Sequence, residues 1–132
     1  MALIIDILRV SREIYYFINL LKKQSVADRQ RLADTLLQAS TVVKETFEKL
    51  SNGVFPVGCC QQLELLSHPL YFQLEGALGP EHAQNLADKF KQTHRVDLLH
   101  REFTTGTIDA RELVLLDEAA EHFYSTSKLL LV

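Results

Sequence analysis

LIIDILRVSREIYYFINLL, residues 3–21, decides the fold class. Leu3, Ile7, Val10, Ile14, Phe17 and Leu21 are apolar at 4-3-4-3-4 spacing, whereas Asp6, Arg9, Arg12, Glu13 and Asn19 occupy the rest of the wheel. That spacing returns side chains to one face of a 3.6-residue helix and would scatter them over both faces of a strand, so the stretch predicts an amphipathic helix over about 2–23. Ile4, Leu8, Tyr15 and Ile18 add a second apolar row, wider than the seam of a two-stranded coiled coil. This helix should therefore touch at least two neighbours.

Working outward, Ser25 stands where its hydroxyl can accept from the free N–H groups of a second helix, and Asp28 suits the positive end of that helix. Val26, Ala33, Leu36, Val43, Phe47 and Leu50 form its apolar row, with Leu32 and Leu37 beside it. Glu45 and Lys49 make a favourable i,i+4 pair. Asn52-Gly53 tolerates the left-handed backbone found just past helix ends, which sets the helix at about 26–51. The connection around Gln24 is short enough to predict an antiparallel hairpin of the first two helices.

Seven of the eight Gly and Pro residues fall between Gly53 and Pro80, and of the 27 residues 54–80 only Glu64 and Glu75 are charged. Leu63, Leu66, Leu70 and Leu74 continue a helical stripe through this segment. Pro69 lacks a backbone donor and disfavours helical geometry at His68, so the expectation is a short kinked helix over about 59–76. A further helix opens at Gly79-Pro80-Glu81, where proline suits the first helical position, and runs to about 104 on the row Ala83, Leu86, Ala87, Phe90, Leu99, Phe103. Thr107 is the expected cap of the last helix, about 108–130, with the row Leu113, Leu116, Ala120, Phe123, Ser127, Leu130. No strand-like alternation and no internal repeat competes. The fold class is all-α: an antiparallel four-helix-type bundle with one short kinked insertion. Phe17, Phe47, Phe90 and Phe123, one on each long helix, are its expected core.

The chain has 132 residues, 47% hydrophobic and 23% charged, which suits a single helical domain over 1–132, either complete or a module of a longer protein. Its net charge of −3 removes the basic footprint of a nucleic-acid binder. No run of about 18 apolar residues spans a bilayer, and in MALIIDILRV Asp6 breaks the apolar run while Lys22 and Lys23 follow it, the reverse of a secretory signal. Cys59 and Cys60 are adjacent, a poor geometry for a structural disulfide, which points to a reducing, cytoplasmic setting. The first helix carries +2 over residues 1–24 and the last −3 over 107–132, so the two make plausible neighbours.

Chemistry-bearing patterns are weak. Di-iron bundles need inward Glu and Glu-x-x-His pairs, and the nearest approximations are Asp97 with His100, and Asp117, Glu118, Glu121 and His122. The apolar row puts Glu118 and Glu121 on the outer side, so solvated charge is the better reading. Cys59 or Cys60, in the first turn of a helix, is the one candidate nucleophile, yet no basic residue adjoins the pair and buried inert thiols are far commoner. Gly53-Val-Phe-Pro-Val-Gly58 lacks the Lys-Ser/Thr and preceding strand of a phosphate loop. No catalytic residue, metal or cofactor is expected. Arg9, Arg12, Lys22 and Lys23 could hold the first helix on an anionic membrane, but its rows fit a core equally well.

The expectation is a non-enzymatic bundle that binds another protein or a second copy of itself. Charge depletion with aromatic enrichment marks interface centres, which singles out Phe55, Leu65, Leu70, Tyr71 and Phe72, joined by Leu130 and Leu131 at the apolar end. The rivals are a membrane-active bundle using the first helix, and a metal-binding bundle using the acids of the last two.

Overall fold

The structure, a computed structural model, describes residues 2–92, 104–106 and 110–132. It is all-α. Among the described residues the helices are α1 (Ala2–Tyr16), α2 (Ile18–Leu21), α3 (Val26–Ser51), α4 (Val57–Leu78), α5 (Pro80–Gln92) and α6 (Ala110–Leu129). Leu99, Phe103, Asp97, His100 and Thr107 lie outside the described residues.

Local chemistry sets the ends of α3. The Asp28 N–H donates to Ser25 Oγ at 3.1 Å, and Arg31 meets the Asp28 carboxylate at 3.0 Å. At the other end Gly53, at φ +73°, donates to the Leu50 carbonyl at 3.1 Å and Val54 to the Lys49 carbonyl at 2.8 Å. Those two bonds are a Schellman cap, and the left-handed turn is where glycine avoids a Cβ penalty.

Two elements differ from the expectation. The first helix breaks at Phe17, whose N–H bonds back only three residues, to the Ile14 carbonyl at 3.2 Å. That tighter turn seats the Phe17 ring edge-on against His82 of α5, centroids 5.0 Å apart, while His82 Nε2 lies 2.8 Å from Glu13 Oε1. The middle segment, expected short and kinked, is instead a 22-residue helix that runs through Pro69. Proline inside a helix costs ~3 kcal/mol. Burying Leu63, Leu70 and Leu74 returns ~1.5–3 kcal/mol each, which outweighs it. The carbonyl that Pro69 cannot serve belongs to Leu65, an exposed residue, so water can take the missing donor's place.

With α4 at full length, the helices close a ring of five: α1 lies on α6, α6 on α3, α3 on α4, α4 on α5, and α5 on α1, with α2 extending α1 against α4. The expected hairpin of α1 with α3 does not form, because α6 stands between them. Neighbours alternate in direction wherever a short connection joins them, but an odd ring cannot alternate throughout. Its parallel pair is α1 and α6, joined by Arg12 Nη2 to Glu118 Oε1 at 2.9 Å. The charge-based pairing of first and last helices holds in this contact, which at its exposure contributes ~0–1 kcal/mol.

Ile7, Val10, Ile14, Leu21, Leu32, Leu36, Leu63, Leu74, Leu86, Leu116 and Phe123 fill the interior, and Phe90 meets Phe123 edge to face at 5.9 Å. Phe17 and Phe47, expected beside them, are only half-buried at its margin, and Val26 faces outward. Buried hydroxyls are satisfied locally: Ser11, Thr46 and Thr126 donate to carbonyls of their own helices at 2.7, 2.8 and 2.9 Å. Ser40 crosses instead, donating to the Ala120 carbonyl of α6 at 2.8 Å.

Candidate functional site

One helix has an uncovered apolar face. Around α4, Cys59, Cys60, Leu63, Ser67, Leu70 and Leu74 point inward. Leu65 and Phe72, seven residues apart and so on one line, point out with 74% and 58% of their surfaces exposed. His68 and Tyr71 both set their rings edge-on to Phe72 at 5.0 Å, making a short aromatic ridge. A groove of about 390 Å³ lies on its α5 side, against Gln84, Asp88 and Lys91. Another, about 590 Å³, lies on its α3 side between Leu37, Thr41, Gln62 and Leu66. Glu64 stands at the edge, 4.0 Å from Lys91.

The expected interaction residues divide. Leu65 and Phe72 are on this face, and Tyr71 is half-buried at its edge. Phe55 is half-buried in the α3–α4 connection. Leu70 and Leu130, expected at the surface, are core residues at 1% and 0% exposure. Leu70 is inward because it continues the Leu63–Ser67–Leu74 line. Leu130 is inward because its own carbonyl is held by Arg29 Nη1 at 3.4 Å, folding the end of α6 onto α3. Leu131 is exposed, but it lies just past the end of α6, a helix that does not adjoin α4 in the ring. Leu37, His68 and Gln62 complete the face and carried no signal of it in the sequence taken alone. Leu37, expected beside the buried row of α3, is instead exposed at the rim of the groove facing α4.

The acids of the last helix pair with cations across the bundle. Asp117 accepts from Lys44 of α3, a bond that raises the Lys44 pKa. Glu118, besides binding Arg12, lies 3.8 Å from His122. Among the described residues no group of three or more His, Cys, Asp or Glu could hold a metal ion. A groove of about 660 Å³ between α3 and α6 is rimmed by Lys44, Glu45, Glu48 and Glu121, a mixture of signs that favours water over an apolar ligand.

Cys59 and Cys60 are buried free thiols. Burial pushes both pKa values up, that of Cys60 from 9.0 to about 11, and the Cys59 charge adds to the shift at Cys60. A thiol raised in the folded state contributes stability below its ordinary pKa, and that contribution is lost as pH rises from about 9 through about 11. Stability should therefore fall over that alkaline window, and aromatic disulfide reagents at pH 8 should label neither thiol until denaturant is added. Labelling of the native protein as fast as free cysteine would contradict both burial and shift.

No helix among the described residues is long and apolar enough to cross a membrane. No protein-family model, curated protein or solved structure matches this chain.

Proposed function

We propose that this chain is a non-enzymatic helical bundle that acts by binding protein through the outer face of α4. One observation carries the reading: Leu65 and Phe72 stand exposed on a line that bears no formal charge, flanked by grooves on both sides. Interface centres are depleted of charge and enriched in aromatic residues, and a ridge between two grooves offers the relief that complementary packing needs. Action by release of α1 into lipid is the weaker reading. Ile7, Val10 and Ile14 are fully buried in the core, so α1 would have to leave its contacts with α5 and α6 before that apolar row could meet a membrane. The buried free thiols fit a reducing compartment, and the proposal includes a cytoplasmic location.

A photoreactive residue at Gln61, on the same line of α4, tests the reading in cells. It should give a protein adduct of discrete mass that Phe72→Glu abolishes, while the same probe at exposed Ser125 of α6 gives none. No adduct at position 61, or one indifferent to Phe72→Glu, rules out the α4 face.

A further inference from the structure

The outer side of α1, α2 and the turn after them carries a line of its own. Arg9, Arg12, Tyr16, Leu20 and Lys23 follow one another at steps of three, four, four and three residues, which keeps them on one side of a helix, and all five are exposed. Lys22 is exposed beside Lys23. We infer that this line docks the intact bundle on an anionic lipid bilayer, its four cations against headgroup phosphates and the Tyr16 ring at the boundary of the apolar layer. The apolar row and the basic row of the first helix serve different neighbours: Ile7, Val10 and Ile14 stay buried in the core while the cations face lipid.

Charge selects the partner. No acid stands on the line, and the acids beside it are engaged: Asp6 with Arg9 at 3.6 Å, Glu13 with His82 at 2.8 Å and Glu118 with Arg12 at 2.9 Å. Such exposed pairs are weak, so the two guanidinium groups can exchange carboxylate for phosphate, which they bind in bidentate fashion. Lys22 and Lys23 form no ion pair among the described residues. On the flanking helices, Asp117 and Glu121 of α6 turn towards α3, and Asp88 of α5 turns towards α4. The net charge of −3 does not oppose the contact. Charges are screened over about 8 Å at physiological salt, less than the ~10 Å thickness of one helix, and α3 and α4 lie beyond α5 and α6.

Shape separates lipid from an acidic protein. None of the residues on this line borders a groove described above, so the line is a crest. A protein partner needs relief for close packing, whereas a bilayer yields around a ridge. Tyr16, 84% exposed, stands at the middle of the crest with Leu20 one turn on. Tyrosine is enriched at membrane–water interfaces because its ring meets the acyl chains while its hydroxyl stays among the headgroups. Cations at both ends of an aromatic and apolar centre are the pattern of a helix that lies in the plane of the interface. From Arg9 to Lys23 the line is ~21 Å long.

The chain has no tryptophan, so Tyr16→Trp puts a single reporter on the crest and Leu65→Trp a control on α4, both at exposed positions. Vesicles of phosphatidylcholine mixed with phosphatidylserine should shift the emission of Tyr16→Trp to the blue and leave that of Leu65→Trp unchanged. Phosphatidylcholine alone should shift neither, and high salt should reverse the shift. Replacing Lys22 and Lys23 together by Gln should lower the vesicle partition coefficient ~25-fold, roughly fivefold for each cation, with unchanged far-UV circular dichroism. No shift of Tyr16→Trp on the mixed vesicles, or a partition indifferent to the loss of both lysines, overturns the inference. A shift with poly-glutamate but not with vesicles assigns the crest to an acidic protein and overturns it as well. The contact is independent of the α4 face, so Phe72→Glu should leave the partition unchanged; a partition that Phe72→Glu abolishes moves the contact to α4 and removes it from α1.

Discussion

Truncating Phe90 or Phe123 to Ala lowers the unfolding free energy by about 3–5 kcal/mol, while the same change at Phe17 or Phe47 costs less than half as much. The first two rings are fully buried and meet edge to face at 5.9 Å, so each truncation leaves a cavity and removes the partner of the other ring. Phe17 and Phe47 lie at the margin, where water fills the vacated space. Phe17 loses an edge contact with His82, and Phe47 a contact with the Lys44 ammonium, 5.7 Å from its centroid. Urea denaturation of the four variants measures the split. Equal losses at all four positions would contradict it.

Leu70→Glu and Phe72→Glu, two positions apart in one helix, have opposite outcomes. Two residues turn a helix through 200°, which carries Leu70 to the centre and Phe72 to solvent. A carboxylate at position 70 forfeits ~2–5 kcal/mol of packing and adds the cost of an unpaired charge in an apolar interior. The total rivals the ~5–15 kcal/mol that holds a domain together, so Leu70→Glu loses its helical circular dichroism at neutral pH. Phe72→Glu keeps it within about 0.5 kcal/mol of the original stability, as surface substitutions usually do. Because a core carboxyl is best tolerated when neutral, Leu70→Glu regains structure as the pH is lowered towards 5. A cooperative native-like melt of Leu70→Glu at pH 7 would remove Leu70 from the core.

Where the sequence was sufficient, a local signal coincided with the packing. Ser25 and Asn52-Gly53 mark the ends of α3 because caps are made of neighbours in the chain, and Pro80 marks the start of α5 for the same reason. The α4 helix was illegible because its local signal is opposed: Pro69 favours a break, and only the burial of three leucines against α3 and α5 overcomes that preference. Ring order was illegible for another reason. A short connection after α2 fixes the direction of the next helix but not its neighbour, so α3 could be assigned a course and not a place. The candidate face suffers from the same gap. Two charges in 27 residues describe the whole circumference of a helix, and a count cannot distinguish Leu65 and Phe72 from Leu70.

The parallel pairing of α1 with α6 gives the molecule a polarity. Peptide dipoles of antiparallel helices cancel side by side, but with three of the five rods pointing one way, about half a unit charge at each end is left uncancelled. The negative pole lies where α2 and α6 finish. Lys22, Lys23 and Lys128 lie at that end, all exposed, and the Arg29 guanidinium donates to the Leu130 carbonyl just past α6. Cations at that pole offset a field that an even-numbered ring would not have. Acetylating those three lysines removes cations that oppose the helix dipoles at this end.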